Sequence, residues 1–184
     1  MEVIDTMKKI ILAVMCFVVA LAISGCAASG NQLVNIDTAQ SPNADSVSVD
    51  DYDKDLSGLE KYFIALDYIP KDNTPTKMLA SVIGAEFGDK YVFTVNNSNV
   101  VMELYEYNPK NLDKDATRVI GEIKETGEFH VFGDESIDGS TTYKATLSDD
   151  DRFMMIYTDN STVDANVKRT EDVLKAFKTF TDTK

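Results

Sequence analysis

Residues 90–107 read KYVFTV, then NNSN, then VVMELYEY, and this stretch decides the fold. Both runs are β-branched and aromatic, which suits a pleated, half-buried surface. Between them stand Asn96, Asn97, Ser98 and Asn99, residues that favour turns because their short polar side chains bond nearby backbone. The reading is a β-hairpin over Lys90–Val95 and Val100–Tyr107. Alternation along the second strand puts Val100, Met102 and Leu104 on one face and Val101, Glu103, Tyr105 and Tyr107 on the other. Tyr91 and Phe93 likewise alternate with Val92 and Thr94. Two arrangements fit. Tyr91, Tyr105 and Tyr107 form a candidate binding surface, since tyrosine is enriched at interfaces, or the sheet is buried on both faces with the hydroxyls reaching its edge.

Upstream of the hairpin, Ser57 and Glu60 make the S-x-x-E pair of a capping box, and Leu59, Phe63, Leu66 and Ile69 follow at helical spacing up to Pro70. Thr74-Pro75 predicts a second helix start, with Met78, Leu79, Val82 and Ile83 buried and Gly84 closing it. Downstream, Pro109 ends the strand. A helix over about Leu112–Glu125 sets Ala116, Val119, Ile120 and Ile123 on one stripe and stops at Gly127. Short strands follow at Glu128–Phe132, Thr141–Leu147 and Arg152–Thr158, the last two joined by a turn at Asp149-Asp150-Asp151. A final helix, roughly Val163–Thr181, directs Val167, Leu174, Phe177 and Phe180 inward. The order α-α-β-β-α-β-β-β-α, with short connections, predicts an α+β domain. Its sheet is mainly antiparallel, of about five strands, with helices packed on one face.

The N-terminus carries an export signal. Lys8 and Lys9 precede an unbroken apolar run, Ile10–Ile23, which suits a signal core and falls short of the roughly 20 residues that span a bilayer. The tetrapeptide Ile23-Ser24-Gly25-Cys26 that closes it resembles the lipobox of bacterial lipoproteins. That resemblance implies cleavage before Cys26, lipid such as palmitate on its thiol, and an extracytoplasmic domain held at the cell membrane. Two or three acyl chains anchor stably because each buried CH₂ contributes about 0.8 kcal/mol. Glu2 and Asp5 are out of place in a basic leader, whereas a chain read from Met7 begins MKKIILAV. Residues 1–6 are therefore expected to be a translated leader called in error. Residues 26–54, rich in Ser, Asn, Ala and Asp, read as the lipidated cysteine and a flexible acidic tether, and 55–184 as the single domain. The layout over Leu59–Lys178 resembles small lipoproteins of low-GC Gram-positive bacteria that have no assigned activity, and it implies no site.

Composition narrows the function. The chain carries 31 Asp and Glu against 18 Lys and Arg, a net charge of −13, and the signal removes as many acids as lysines. Such a surface repels phosphate backbones, which disfavours nucleic acid as a partner. Cys16 lies in the signal and Cys26 is the lipid site, so the domain holds no thiolate nucleophile, disulfide or zinc–sulfur site. No serine-hydrolase, zinc-protease or phosphate-loop motif is present, and neither a catalytic residue nor a cofactor is assigned. The single histidine, His130, faces outward in FHVF. Asp51, Asp53 and Asp55 resemble the opening of a calcium loop, but Leu56 and Tyr62 stand where Gly and Glu are required. Asp134, Glu135 and Asp138 are weak metal candidates in an inter-strand loop. The length is about half that of a two-lobed solute-binding protein. The expectation is a surface domain that binds an envelope protein or small ligand. The alternatives are a carboxylate-dependent envelope enzyme or an accessory or inhibitory lipoprotein.

Overall fold

A computed structural model describes residues 35–36, 46–132 and 140–181. In chain order the elements are β1 (Asn35–Ile36), α1 (Leu56–Ala65), β2 (Thr76–Lys77), β3 (Phe87–Val95), β4 (Ser98–Glu106), α2 (Lys114–Thr126), β5 (Glu128–Phe132), β6 (Ser140–Lys144), β7 (Thr146–Leu147), β8 (Phe153–Asp159) and α3 (Asp164–Lys178). Short 3-10 turns occur at Val49–Asp51 and Ala80–Ile83. At the hairpin centre Asn96 and Asn97 sit at φ 48° and 64°, the left-handed pair that a two-residue hairpin turn requires. Val95 then faces Ser98, and the register runs unbroken to Phe87 opposite Glu106. β8 pairs antiparallel with the far side of β4, and β7 with β8. The sheet order is β1-β3-β4-β8-β7, with β2 also on the outer edge of β3. β5 and β6 form a separate two-stranded sheet. The domain is α+β with a mainly antiparallel sheet.

Period-two alternation divides the side chains of this sheet between two cores. On one face, Tyr91, Phe93 and Val95 of β3, Met102 and Leu104 of β4, and Phe153 and Met155 of β8 pack against α1 and α3. On the other, Tyr105, Tyr107, Met154 and Ile156 pack against α2 and Phe129. Two helices thus share one face, and α2 covers the other. Its stripe Ala116, Val119, Ile120 and Ile123 is fully inward, Asp113 caps its start and Gly127, at φ 76°, ends it.

Several local expectations differ from what folds. Helix α1 begins two residues early: Asp55 is the N-cap, accepting from Gly58 N–H at 2.7 Å, so Ser57 and Glu60 lie inside the helix. Thr74-Pro75 starts no α-helix. Asn73 donates to Val92 O (3.0 Å), Thr76 pairs with Lys90 and Lys77 with Asp89, so the open edge of β3 captures the segment and overrides its helix signals. Only Ala80–Ile83 winds, and Gly84 at φ 72° stops it. Met78 and Ile83 are sheltered, whereas Leu79 and Val82 point to solvent.

In α3 the buried residue of the first turn is Asn166, and Val167 is exposed. Asn166 donates to Val95 O (3.2 Å) and Asp159 Oδ2 (2.8 Å) and accepts from Asn96 (2.8 Å). It ties the hairpin turn to the end of β8, a satisfied buried network of the kind that specifies one arrangement. Residues 46–54, read as tether from composition, lie on the domain: Val47, Val49 and Tyr52 pack on the first core. Lys54 bonds Val49 O and stands 4.6 Å over the Phe180 ring.

Candidate functional site

The three tyrosines singled out from the sequence are buried, and they do not share a face. Tyr91 belongs to the α1/α3 core and Tyr105 and Tyr107 to the α2 core. Their hydroxyls are used internally: Tyr105 donates to Glu103 (2.8 Å) and Tyr107 to Met154 Sδ (3.6 Å). Burial pushes all three phenols upward. The arrangement with both faces covered is the one that folds, and Tyr91, Tyr105 and Tyr107 do not make a common exposed surface. Asp134, Glu135 and Asp138 lie outside the described residues, as do the signal segment 1–25 and Cys26. Among the described residues no group of three or more His, Cys, Asp or Glu is placed to hold a metal.

His130 is a staple rather than an isolated surface residue. Glu122 of α2 accepts from its backbone N–H at 2.8 Å and lies 3.2 Å from its Nδ1. Arg118 bonds Glu122 Oε1 (2.9 Å) and His130 O (2.9 Å). Desolvation pulls Glu122 upward, but the His130 N–H and the Arg118 guanidinium outweigh it and hold the carboxyl below its ordinary range. These bonds fix β5 to α2.

The most unusual chemistry sits where α1 crosses the start of β3. Asp89 falls on the inward series Asp89, Tyr91, Phe93, Val95 and is 1% exposed. Glu60 reaches it from α1, one position off the apolar stripe, and also bonds the Tyr91 hydroxyl. Lys77 of β2, itself 81% exposed, puts Nζ 2.7 Å from Asp89 Oδ2. Glu60 Oε1 and Asp89 Oδ1 are buried with no donor from the protein. Burial, and next the facing Asp89 carboxyl, push Glu60 up to about 7. Contact with Asp89 raises Lys77. A capping-box reading hid Glu60, and starting the strand at Lys90 hid Asp89. One signal for Asp89 was legible, a carboxylate in phase with Tyr91 and Phe93.

A second feature adjoins this one. The bond from Met78 N to Gly88 O (2.9 Å) continues the β2–β3 register by one step, and Leu79 and Phe87 are the chain neighbours of the two bonded residues. Leu79 is 76% exposed, Phe87 57% and Val82 50%. Phe87 lies on the Asp89 side of β3, with exposed Glu86 next to it. Exposed apolar side chains gathered this closely along the chain are a feature from which contact surfaces are built. No protein-family model, curated protein or solved structure matches the chain.

Proposed function

We propose that the chain is a lipid-anchored, extracytoplasmic binding lipoprotein whose acidic domain docks a partner protein through the corner Leu79, Val82 and Phe87. The observation that carries the docking is this corner: three large apolar side chains, each half-exposed or more, within nine residues of chain. Scattered exposed apolar residues are ordinary, but Leu79 and Phe87 flank the Met78–Gly88 backbone bond, and apolar contiguity marks interaction sites. The net charge of −13 selects a partner surface that is basic around an apolar centre. The anchor rests on Ile23-Ser24-Gly25-Cys26 after the apolar run. For carboxylate catalysis the Glu60–Asp89 pair is the natural place, and its enclosure beneath Lys77 favours a structural role over contact with substrate.

Two experiments test the two halves. Cells fed labelled palmitate incorporate it into the wild-type chain, and Cys26→Ala abolishes both label and membrane retention. Label that survives in Cys26→Ala refutes the anchor. For docking, the Leu79→Asp/Phe87→Asp double variant, purified in detergent as the full chain, loses a stoichiometric membrane partner by at least about tenfold in affinity (about 1.4 kcal/mol). Its melting temperature stays within a few degrees of wild type, because both side chains are exposed already. Equal retention of the partner by the double variant rules the corner out.

A further inference from the structure

We infer that Glu60 and Asp89 share one proton, that this proton fastens α1 and β2 to β3, and that its loss loosens the corner at the end of β2. The inference does not depend on whether that corner docks a partner.

The titratable and charged groups that face Glu60 are Asp89 and Tyr91 from β3 and Lys77 from β2. Lys77 binds Asp89 through Oδ2, leaving Oδ1 without a donor, and Glu60 Oε1 is also buried and without one. Two ionised carboxylates in contact at a buried margin repel, and one lysine compensates only one of them. A proton on Glu60 removes the second charge. It also supplies the O–H donor that a carboxyl–carboxylate contact needs. The shared hydrogen bond then runs from α1 to β3, and the same Asp89 holds Lys77 of β2. One proton therefore bears on three elements, and β2 runs through Met78 directly into Leu79.

The sign follows from linkage. With Glu60 raised to about 7 in the folded chain from 4.5, the folded state holds a proton that the unfolded chain has released across that window. Stability therefore falls as pH rises from 4.5 to 7 and levels off above. For one proton fully linked, the unfolding constant rises by up to about tenfold per pH unit in the window.

The test is urea unfolding of the full chain in detergent from pH 5 to 8.5. Wild type loses stability through the window. Glu60→Gln, which is neutral at every pH and keeps an N–H donor for Asp89, loses this component of the slope. His130→Asn, which removes the only histidine, keeps it. A wild type that is flat across the window, or a Glu60→Gln variant with the wild-type slope, overturns the inference. So does full restoration of stability at pH 8.5 by millimolar Mg²⁺ or Ca²⁺, which assigns the gap to a cation instead. Should Glu60→Gln fail to fold, carboxyl ¹³C shifts of the wild-type chain decide: a Glu60 midpoint near 7 supports the shared proton, and one near 4.5 refutes it.

Discussion

Gly58→Ala is expected to destabilise the domain by about 2 kcal/mol, although Gly58 lies within a helix where alanine is ordinarily the better residue by about 1 kcal/mol. A methyl group at this position would stand 1.8 Å from Asp53 O and 2.7 Å from its carbonyl carbon. That is an overlap with backbone, which no rotamer change relieves. Either α1 shifts off its core or residues 46–54 lift away. Lifting gives up the packing of Val47, Val49 and Tyr52 and the Tyr52–Tyr62 ring contact at 5.5 Å. α1 is held by Leu59 and Phe63, both fully buried, so the segment should yield first. Thermal melting reads the loss, and limited proteolysis reads new cleavage within 46–54. An equal or higher melting temperature in the alanine variant would falsify this account of the close approach.

The second large effect concerns Glu106, a buried carboxylate on the last residue of β4. Its Oε2 accepts from Leu56 N–H at 2.8 Å, one of the donors orphaned at the start of α1. Its Oε1 takes Arg152 Nη2 at 2.7 Å and Nε at 3.2 Å, a two-point grip on the β7–β8 turn. Arg152 in turn lies 5.4 Å over the Phe153 ring. Glu106→Ala removes acceptors from two elements at once and should cost about 3 kcal/mol, the usual penalty for breaking a buried pair by deleting one partner. Glu106→Gln retains one acceptor and should cost about half of that. By contrast, Asp172→Ala dissolves the exposed Lys168–Asp172 pair and should change stability by no more than about 0.5 kcal/mol. Chemical denaturation of the three variants at one pH gives the ranking, and parity between Glu106→Ala and Asp172→Ala would sink it.

What was legible in the sequence depended on how local the deciding interaction is. The hairpin was legible because Asn96 and Asn97 carry the turn by their own backbone tolerance. The α2 stripe was legible because four apolar residues at helical spacing meet one core. Thr74-Pro75 misled because its fate depends on an edge vacancy in β3, which is defined only once the sheet has formed. Val167 misled because the phase of α3 is set by Val173 and Phe177 and by the bonds of Asn166 to the hairpin turn, 70 positions away. The site suffered most. Glu60 and Asp89 belong to different elements, and no spacing rule links them. Lys77 joins them only because β2 is an edge strand.

If Cys26 carries the proposed lipid, the parallel pairing of β1 with β3, Asn35 against Thr94 and Ile36 against Val95, limits how far this domain can stand from a bilayer. Composition suggested a leash ending at Lys54, yet the chain is already secured to the sheet at Asn35. On the proposed lipid attachment, only nine residue steps separate Cys26 from that mooring. Fully extended they reach about 30 Å, little more than the width of a small domain. If the proposed anchor holds, a partner of the Leu79–Phe87 corner is met within that short reach of the bilayer rather than at the end of a long leash.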